Sequence, residues 1–442
     1  MIEKSSDQLI IFARVPKLGE NKTRLIPAVG ATIATKVYSY LANQTVSVAR
    51  QLVERGKCAA TICYTGGSLT EVQFAFGKDL ESWEQQGDSL GERLIHASSF
   101  AFTRGAERVL IIGTDCPYLT VGDIEGAFAD LGKYEVVLGP ALDGGYYLIG
   151  LTKPQPRLFE EIDWSTDRVF QQTVQRTRDS GLRLQCLRRL PDVDYPEDLL
   201  PLRQLTESGQ PPLETVPGRL SIVVPAFNEA ERLPATLRAA GKPNDALEII
   251  VVDGGSHDST VSLAEQYGCK VFTGNRGRAR QMNAGAAISS GETLLFLHAD
   301  TLLPSGYEHE IQRVLATPVQ CGAFPLRIDA KGAGLRAIEA GIAFRSTKCQ
   351  LPYGDQALFF RAVDFFGQGG FKHLAIMEDY ELVSRFRRRG RIGIAQLPVT
   401  TSGRRWQSRG ILKTTWINQL CIIAFRLGFS DAAIARFYYG SR

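Results

Sequence analysis

The sequence predicts an α/β protein made of two doubly wound layers in tandem, and three observations carry that prediction. Short strands that are apolar throughout recur along the chain, each followed by a polar turn and an amphipathic helical stretch. That grammar belongs to parallel sheets covered by helices on both faces. It occurs twice, on either side of "LTESGQPPLETVPGR", Leu205 to Arg219, whose prolines and glycines lack apolar periodicity and read as a link. The expected organisation is a domain over 1–205, a linker over 206–219 and a second domain over 220–442.

Taken in order, the strands of the first half are "QLIIFA", "AATICY", "RVLIIG", "EVVLG" and "YYLIGL". Those of the second are "LSIVVP", "LEIIVVD", "TLLFLHAD" and "GIAQL". In such layers ligands gather at the carboxyl ends of the strands, so the residues just beyond each strand are the ones to inspect. Length and composition agree with the reading. A chain of 442 residues, 44% hydrophobic and 22% charged, is long enough for two or three cores and is neither disordered, collagenous nor membrane-spanning. Eight scattered cysteines without a C-x-x-C pair, and no secretory signal ahead of them, are expected to stay reduced in a cytoplasm, which argues against zinc and disulfides. A net charge of +4 is too small to imply nucleic acid. The positive charge is uneven, however: nine basic residues and no acidic one lie between Arg385 and Lys413. Part of that run caps a helix; the remainder calls for a phosphate, a diphosphate or an acidic membrane surface.

In the second half, "VVPAFNEAERL" places Pro225, Asn228 and Glu229 after one strand, and "VVDGGSHDST" places Asp253 and two glycines after the next. A carboxylate at a strand end can accept hydrogen bonds from a uracil edge or a ribose; turn chemistry with capping by Ser256 and Asp258 is the competing explanation. With "GNRGRARQMNAG" and "FLHADT" alongside, residues 220 to about 410 resemble a family-2 glycosyltransferase of the GT-A fold. The resemblance implies that Pro225, Glu229 and Asp253 hold the nucleoside and that Arg280 and Asn283 lie along the donor. It implies a divalent cation, Mn²⁺ or Mg²⁺, on Asp300. "AIMEDYELVSRFRRRG" is similar to the family's E-D helix start, which makes Asp379, next to Glu378, the expected catalytic base. "SGRRWQSRG" is similar to its Q-x-x-R-W element, which puts Arg404, Arg405 and Trp406 on the diphosphate and acceptor side, with Gly403 standing where the Gln would be. His298 occupies the place of the first Asp of the D-x-D motif. A neutral imidazole there can contact the ribose or a metal-bound water, or it can be an ordinary turn histidine. One base and no nucleophile imply an inverting displacement of a nucleoside diphosphate by an unidentified acceptor.

In the first half, "FARVPKLGENKTRL" sets Lys17, Lys22 and Arg24 around Gly19 at a strand end, suited to a diphosphate or triphosphate, or else simply solvated. Asp115 in "GTDCP" and Asp194 in "PDVDYPEDL" are expected to converge on one Mg²⁺. These segments resemble nucleotidyltransferase-like GT-A proteins. Over residues 8 to 202 they are similar to a bacterial family (DUF2064-like) labelled as an arsenosugar-biosynthesis or radical-SAM-associated glycosyltransferase. The chain therefore resembles a fusion, with two GT-A-like, Rossmann-like domains. The first would bind or make a nucleotide-activated substrate, or else serve as a non-catalytic nucleotide-sensing or scaffolding module. Carotenoid glycosyltransferase labels attach to relatives of the second half. "ILKTTWINQLCIIAFRLGF", Ile411 to Phe429, is too short and too charged to span a bilayer. It is expected to pack on the core or, failing that, to lie in the plane of a membrane surface at the inner face, beside a lipid or carotenoid-like acceptor.

Overall fold

The computed structural model describes residues 6–203, 215–330, 332–403 and 411–439, without the side chains of 201, 333 and 411–415. The chain divides into two compact units, one ending at Asp194 and the other starting at Tyr195. Each is a seven-stranded α/β layer.

The first unit contains β1 (Asp7–Arg14), β2 (Ala59–Thr65), β3 (Glu81–Glu84), β4 (Arg108–Ile112), β5 (Val136–Pro140), β6 (Tyr146–Leu151) and β7 (Leu184–Cys186). They lie in the order β3-β2-β1-β4-β6-β5-β7. All run parallel except β6, which is antiparallel to β4 and β5. The purely parallel sheet expected from the apolar runs fails at β6 for a geometric reason. Only five residues, 141–145, join it to β5, far fewer than a parallel crossover needs. Alternation along β1 shows why its residues are apolar throughout: Leu9, Ile11 and Ala13 enter one buried cluster while Ile10 enters the other.

The second unit repeats the plan with β8 (Val216–Ala226), β9 (Leu247–Asp253), β10 (Lys270–Thr273), β11 (Gly291–Phe296), β12 (Thr301–Leu302), β13 (Cys321–Ala323), β14 (Leu326–Asp329), β15 (Phe359–Arg361), β16 (Ile392–Ile394) and β17 (Val399–Ser402). The main sheet runs β10-β9-β8-β11-β15-β13-β16, with β15 as its antiparallel member. A small sheet, β12-β17-β14, stands beside it. Two boundaries differ from the sequence expectation. β8 starts at Val216, inside the stretch expected as a linker. Tyr195–Arg203 belongs to the second unit: the Arg203 guanidinium donates to the Ala287 and Ser289 carbonyls, and Asn275 donates to Glu197 at 2.9 Å.

Candidate active site

Because β8, β9 and β11 run in parallel, the loops after them share one edge of the second sheet. β15 runs the other way, so the residues just before it reach the same edge. The first two loops are laced to each other. The Asn228 side chain accepts the His257 N–H at 2.9 Å, the Ser256 hydroxyl accepts the Asn228 N–H at 2.8 Å, and Thr260 accepts the Glu229 N–H at 2.9 Å. Asp253 is 2% exposed; its carboxylate accepts the N–H groups of Gly255 and Ser256, both at 2.9 Å. Turn chemistry thus occupies much of what the sequence offered to a nucleoside. Pro225 is half-buried within β8, and Arg232 lies 3.6 Å from Glu229.

A cavity of about 480 Å³ opens at this edge. It gathers His298, Asp300, Glu378 and Asp379, all anticipated, together with Arg278, Tyr353 and Asp355, which were not. The turn after β11 sets the first two. Thr301 N–H donates back to the His298 carbonyl at 3.1 Å, and β12 then pairs with β17, so Thr401 and Ser402 form the wall beside Asp300. Asp379 is fixed from two sides: Oδ2 accepts the Gly354 N–H and Oδ1 accepts the Tyr380 N–H, each at 2.7 Å. Two charge-assisted bonds of that kind hold one rotamer and one carboxylate orientation. Glu378 is 4% exposed and lies 3.5 Å from Arg278; burial pushes its carboxyl above the ordinary carboxylate range despite that arginine.

Gly354 explains how the imidazole and the carboxylate come together. A Cβ there would stand 3.1 Å from Asp379 Oδ2 and 3.3 Å from His298 Nε2, so both groups close over a bare backbone. Gly354→Ala is expected to leave the fold intact and lower turnover by roughly 10²-fold through displacement of these groups. Steady-state kinetics beside a melting curve checks this.

Two residues expected along the donor lie away from this cavity. Arg278, not Arg280, lines the cavity. Two residues along a helix turn the side chain by about 200°, so these arginines leave opposite faces of helix Arg278–Ala287. Arg280 is exposed, and His373 feels its charge. Asn283 is 3% exposed and spends its amide on both backbone groups of Phe371, which makes it a core fastening. Gln281, also missed, ties the ends of β8 and β9 by donating to the Ala226 and Val252 carbonyls at 3.0 and 2.8 Å. Arg404, Arg405 and Trp406 lie outside the described residues.

In the first unit the loop after β1 is hung from the Tyr38 hydroxyl, which accepts the Arg14 N–H and donates to the Arg14 carbonyl, both at 2.7 Å. Lys22, at φ +49°, places its ammonium 2.6 Å from Asp115 and 3.0 Å from Asp194, with Arg24 2.9 Å from Asp194. A lysine therefore stands between the two carboxylates expected to share Mg²⁺. Burial alone would lower its pKa, but the paired carboxylates raise it. Lys17 extends instead toward Glu71, at 3.8 Å. Asp194 finds different company: carboxylate oxygens of Asp143, Asp192 and Asp194 lie within 4.8 Å of one another. Asp143 is carried on the β5–β6 turn, where Gly144 at φ +94° leaves no room for a Cβ against the Asp167 backbone. The D-V-D spacing of Asp192 and Asp194 was visible in the sequence; their meeting with Asp143 was not.

Comparison with known proteins gives the class first. Both units share one sheet order, a mixed α/β layer with a single antiparallel strand at the same position. Residues 48–166 match an uncharacterized protein family conserved in bacteria (DUF2064), and residues 221–416 match glycosyl transferase family 2. The chain is a fusion of these two domains. Among relatives, a dolichyl-phosphate beta-glucosyltransferase of Drosophila melanogaster is 38% identical over 109 residues, 20% of this chain and 33% of that protein. A 4,4'-diaponeurosporenoate glycosyltransferase of Staphylococcus haemolyticus is 31% identical over 104 residues, 22% of this chain and 27% of that protein. The chain thus spans about a third or less of the length of these relatives. A solved structure from Desulfovibrio desulfuricans, provisionally described as a nucleotide-diphospho-sugar transferase, is 32% identical over 47% of this chain and 90% of that one, with a TM-score of 0.44.

Proposed function

We propose that the second unit transfers a sugar from a nucleoside-diphosphate donor to a hydroxyl acceptor with inversion. One observation carries the reading: Asp379 is held by two backbone N–H groups in the same cavity as Asp300, His298 and Arg278. The donor set fits a divalent ion, because a carboxylate and an imidazole facing one cavity are acceptable ligands for Mn²⁺. Asp300 would hold the ion, with His298 beside it, and the bound ion would neutralise charge on the departing diphosphate. The protein's own groups do the rest. Arg278 adds positive charge at the cavity wall, and Asp379 accepts the proton of the attacking hydroxyl. With Asp379 as the one carboxylate oriented as a base on the acceptor hydroxyl, a direct displacement inverts the anomeric carbon. A panel of nucleotide sugars incubated with Mn²⁺ and assayed for release of nucleoside diphosphate tests this; no release from any donor would refute it.

The first unit supports a nucleotide site in which Asp143, Asp192 and Asp194 would hold a divalent ion and Lys22 keeps Asp194 and Asp115 neutralised. Lys22→Ala would leave those carboxylates facing each other. It is expected to weaken Mg²⁺-nucleotide binding to the first unit and to destabilise that unit by about 2 kcal/mol, while sugar transfer changes less than about twofold. Nucleotide titration beside the transfer assay checks this; equal loss of both activities would instead mean one shared site.

A further inference from the structure

The C-terminal helices carry two apolar faces, and only one of them is covered. On helix Ile411–Arg426, Cys421 and Ile422 are buried and line the cavity, while Phe425 packs edge-on to Tyr380 at 5.9 Å. This is the packing expected of the segment. The opposite side presents Trp416, Leu420 and Ile423, continued by Leu427 just past the helix end. The spacing of four, three and four residues makes a single stripe, with exposures of 66%, 40%, 52% and 71%. Phe429 and, on helix Asp431–Tyr439, Phe437 and Tyr439 are also more than half exposed. A contiguous apolar surface of this kind marks a partner, since isolated exposed side chains would not fall at helical spacing.

Charge identifies the partner. Between Trp416 and Tyr439, whose side chains are described, the basic residues are Arg426 and Arg436 and the acid is Asp431. Asp431 is engaged by the Ala375 N–H at 2.7 Å; Arg426 and Arg436 are exposed beside Leu427 and Phe437, Arg426 also donating to the Tyr380 hydroxyl at 2.6 Å. Aromatic and aliphatic side chains interleaved with arginines suit the boundary between headgroups and acyl chains of an anionic leaflet. No helix among the described residues is long and apolar enough to cross a membrane.

We propose that this face seats on an anionic lipid monolayer, with the cavity on the far side of the same helix held close to the headgroups. The contact does not depend on what the cavity transfers, so it stands or falls apart from the sugar-transfer reading. The test is co-sedimentation of the full chain with vesicles of phosphatidylcholine, with and without phosphatidylglycerol, at low and high salt. Binding is expected to phosphatidylglycerol vesicles at low salt and to weaken as salt rises. Ile423→Glu with Leu427→Glu, both at exposed positions, is expected to keep the melting temperature and lose binding by roughly tenfold or more. Arg436→Gln is expected to lose about fivefold, on anionic vesicles only. A chain that stays in the supernatant at low salt would overturn the proposal, as would undiminished binding by the double variant or equal binding to neutral vesicles. So would a dimer in sedimentation velocity that the double variant dissolves without any vesicle binding, which would give the face to a second copy.

Discussion

Asp379→Asn is expected to lower kcat/KM for sugar transfer about 10³-fold while leaving the affinity for the donor nearly unchanged. In the proposed role the carboxylate would work only as the acceptor hydroxyl gives up its proton, so its loss would be felt in the transition state and not in donor binding. The substitution also has a calculable structural cost. Gly354 and Tyr380 both direct N–H groups at this side chain, and an amide offers one oxygen where the carboxylate offers two. One N–H must then face an NH₂ group, a penalty of about 1–2 kcal/mol. A melting curve separates this from catalysis: the variant should remain folded and bind donor normally while turning over at the residual rate. Ordinary turnover in a folded variant would remove Asp379 from the role of base.

Asp300→Ala is expected to abolish both metal-dependent donor binding and transfer, a loss of at least about 10³-fold, whereas His298→Ala retains transfer within roughly tenfold. The difference follows from position. Asp300 lines the cavity at the turn between β11 and β12, where no second carboxylate on that turn can take its place. His298 reaches across toward Gly354 and Asp379, so its removal loosens the acceptor side more than the metal side. Calorimetric titration of Mn²⁺ in the presence of nucleoside diphosphate distinguishes the variants. Equal loss of metal binding in both would make His298 a direct ligand.

Much of the architecture was legible because strand ends announce themselves. Apolar runs such as "LEIIVVD" stop at a polar residue, and parallel pairing then brings His298, Asp300 and the Asp253 turn to one edge. Residues whose role depends on rotation about a helix or on distant pairing were harder to see. Arg278 and Arg280 are equivalent in the string "GRAR", and only the helix phase sends one of them into the cavity. Gly354 carries no motif; its importance comes from meeting residues 25 and 56 positions away, at 379 and 298. A Gly-Asp pair just before the apolar "LFF" was the available hint. Lys22 shows the limit from the other side. Cations on a strand-end loop suggested phosphate, yet the nearest anions turned out to be the protein's own Asp115 and Asp194.

The central claim is that Asp300 and its neighbours form a metal-dependent nucleotide-sugar site, and ligand-linked thermal stability tests it most directly. With Mn²⁺ and the correct nucleoside-diphosphate sugar at about a hundred times its dissociation constant, the parent chain should gain about 2.7 kcal/mol, a melting shift of a few degrees. That gain should vanish with a chelator and in Asp300→Ala. Stabilisation that survives both, or the absence of any shift across a full panel of nucleotide sugars, would contradict the account.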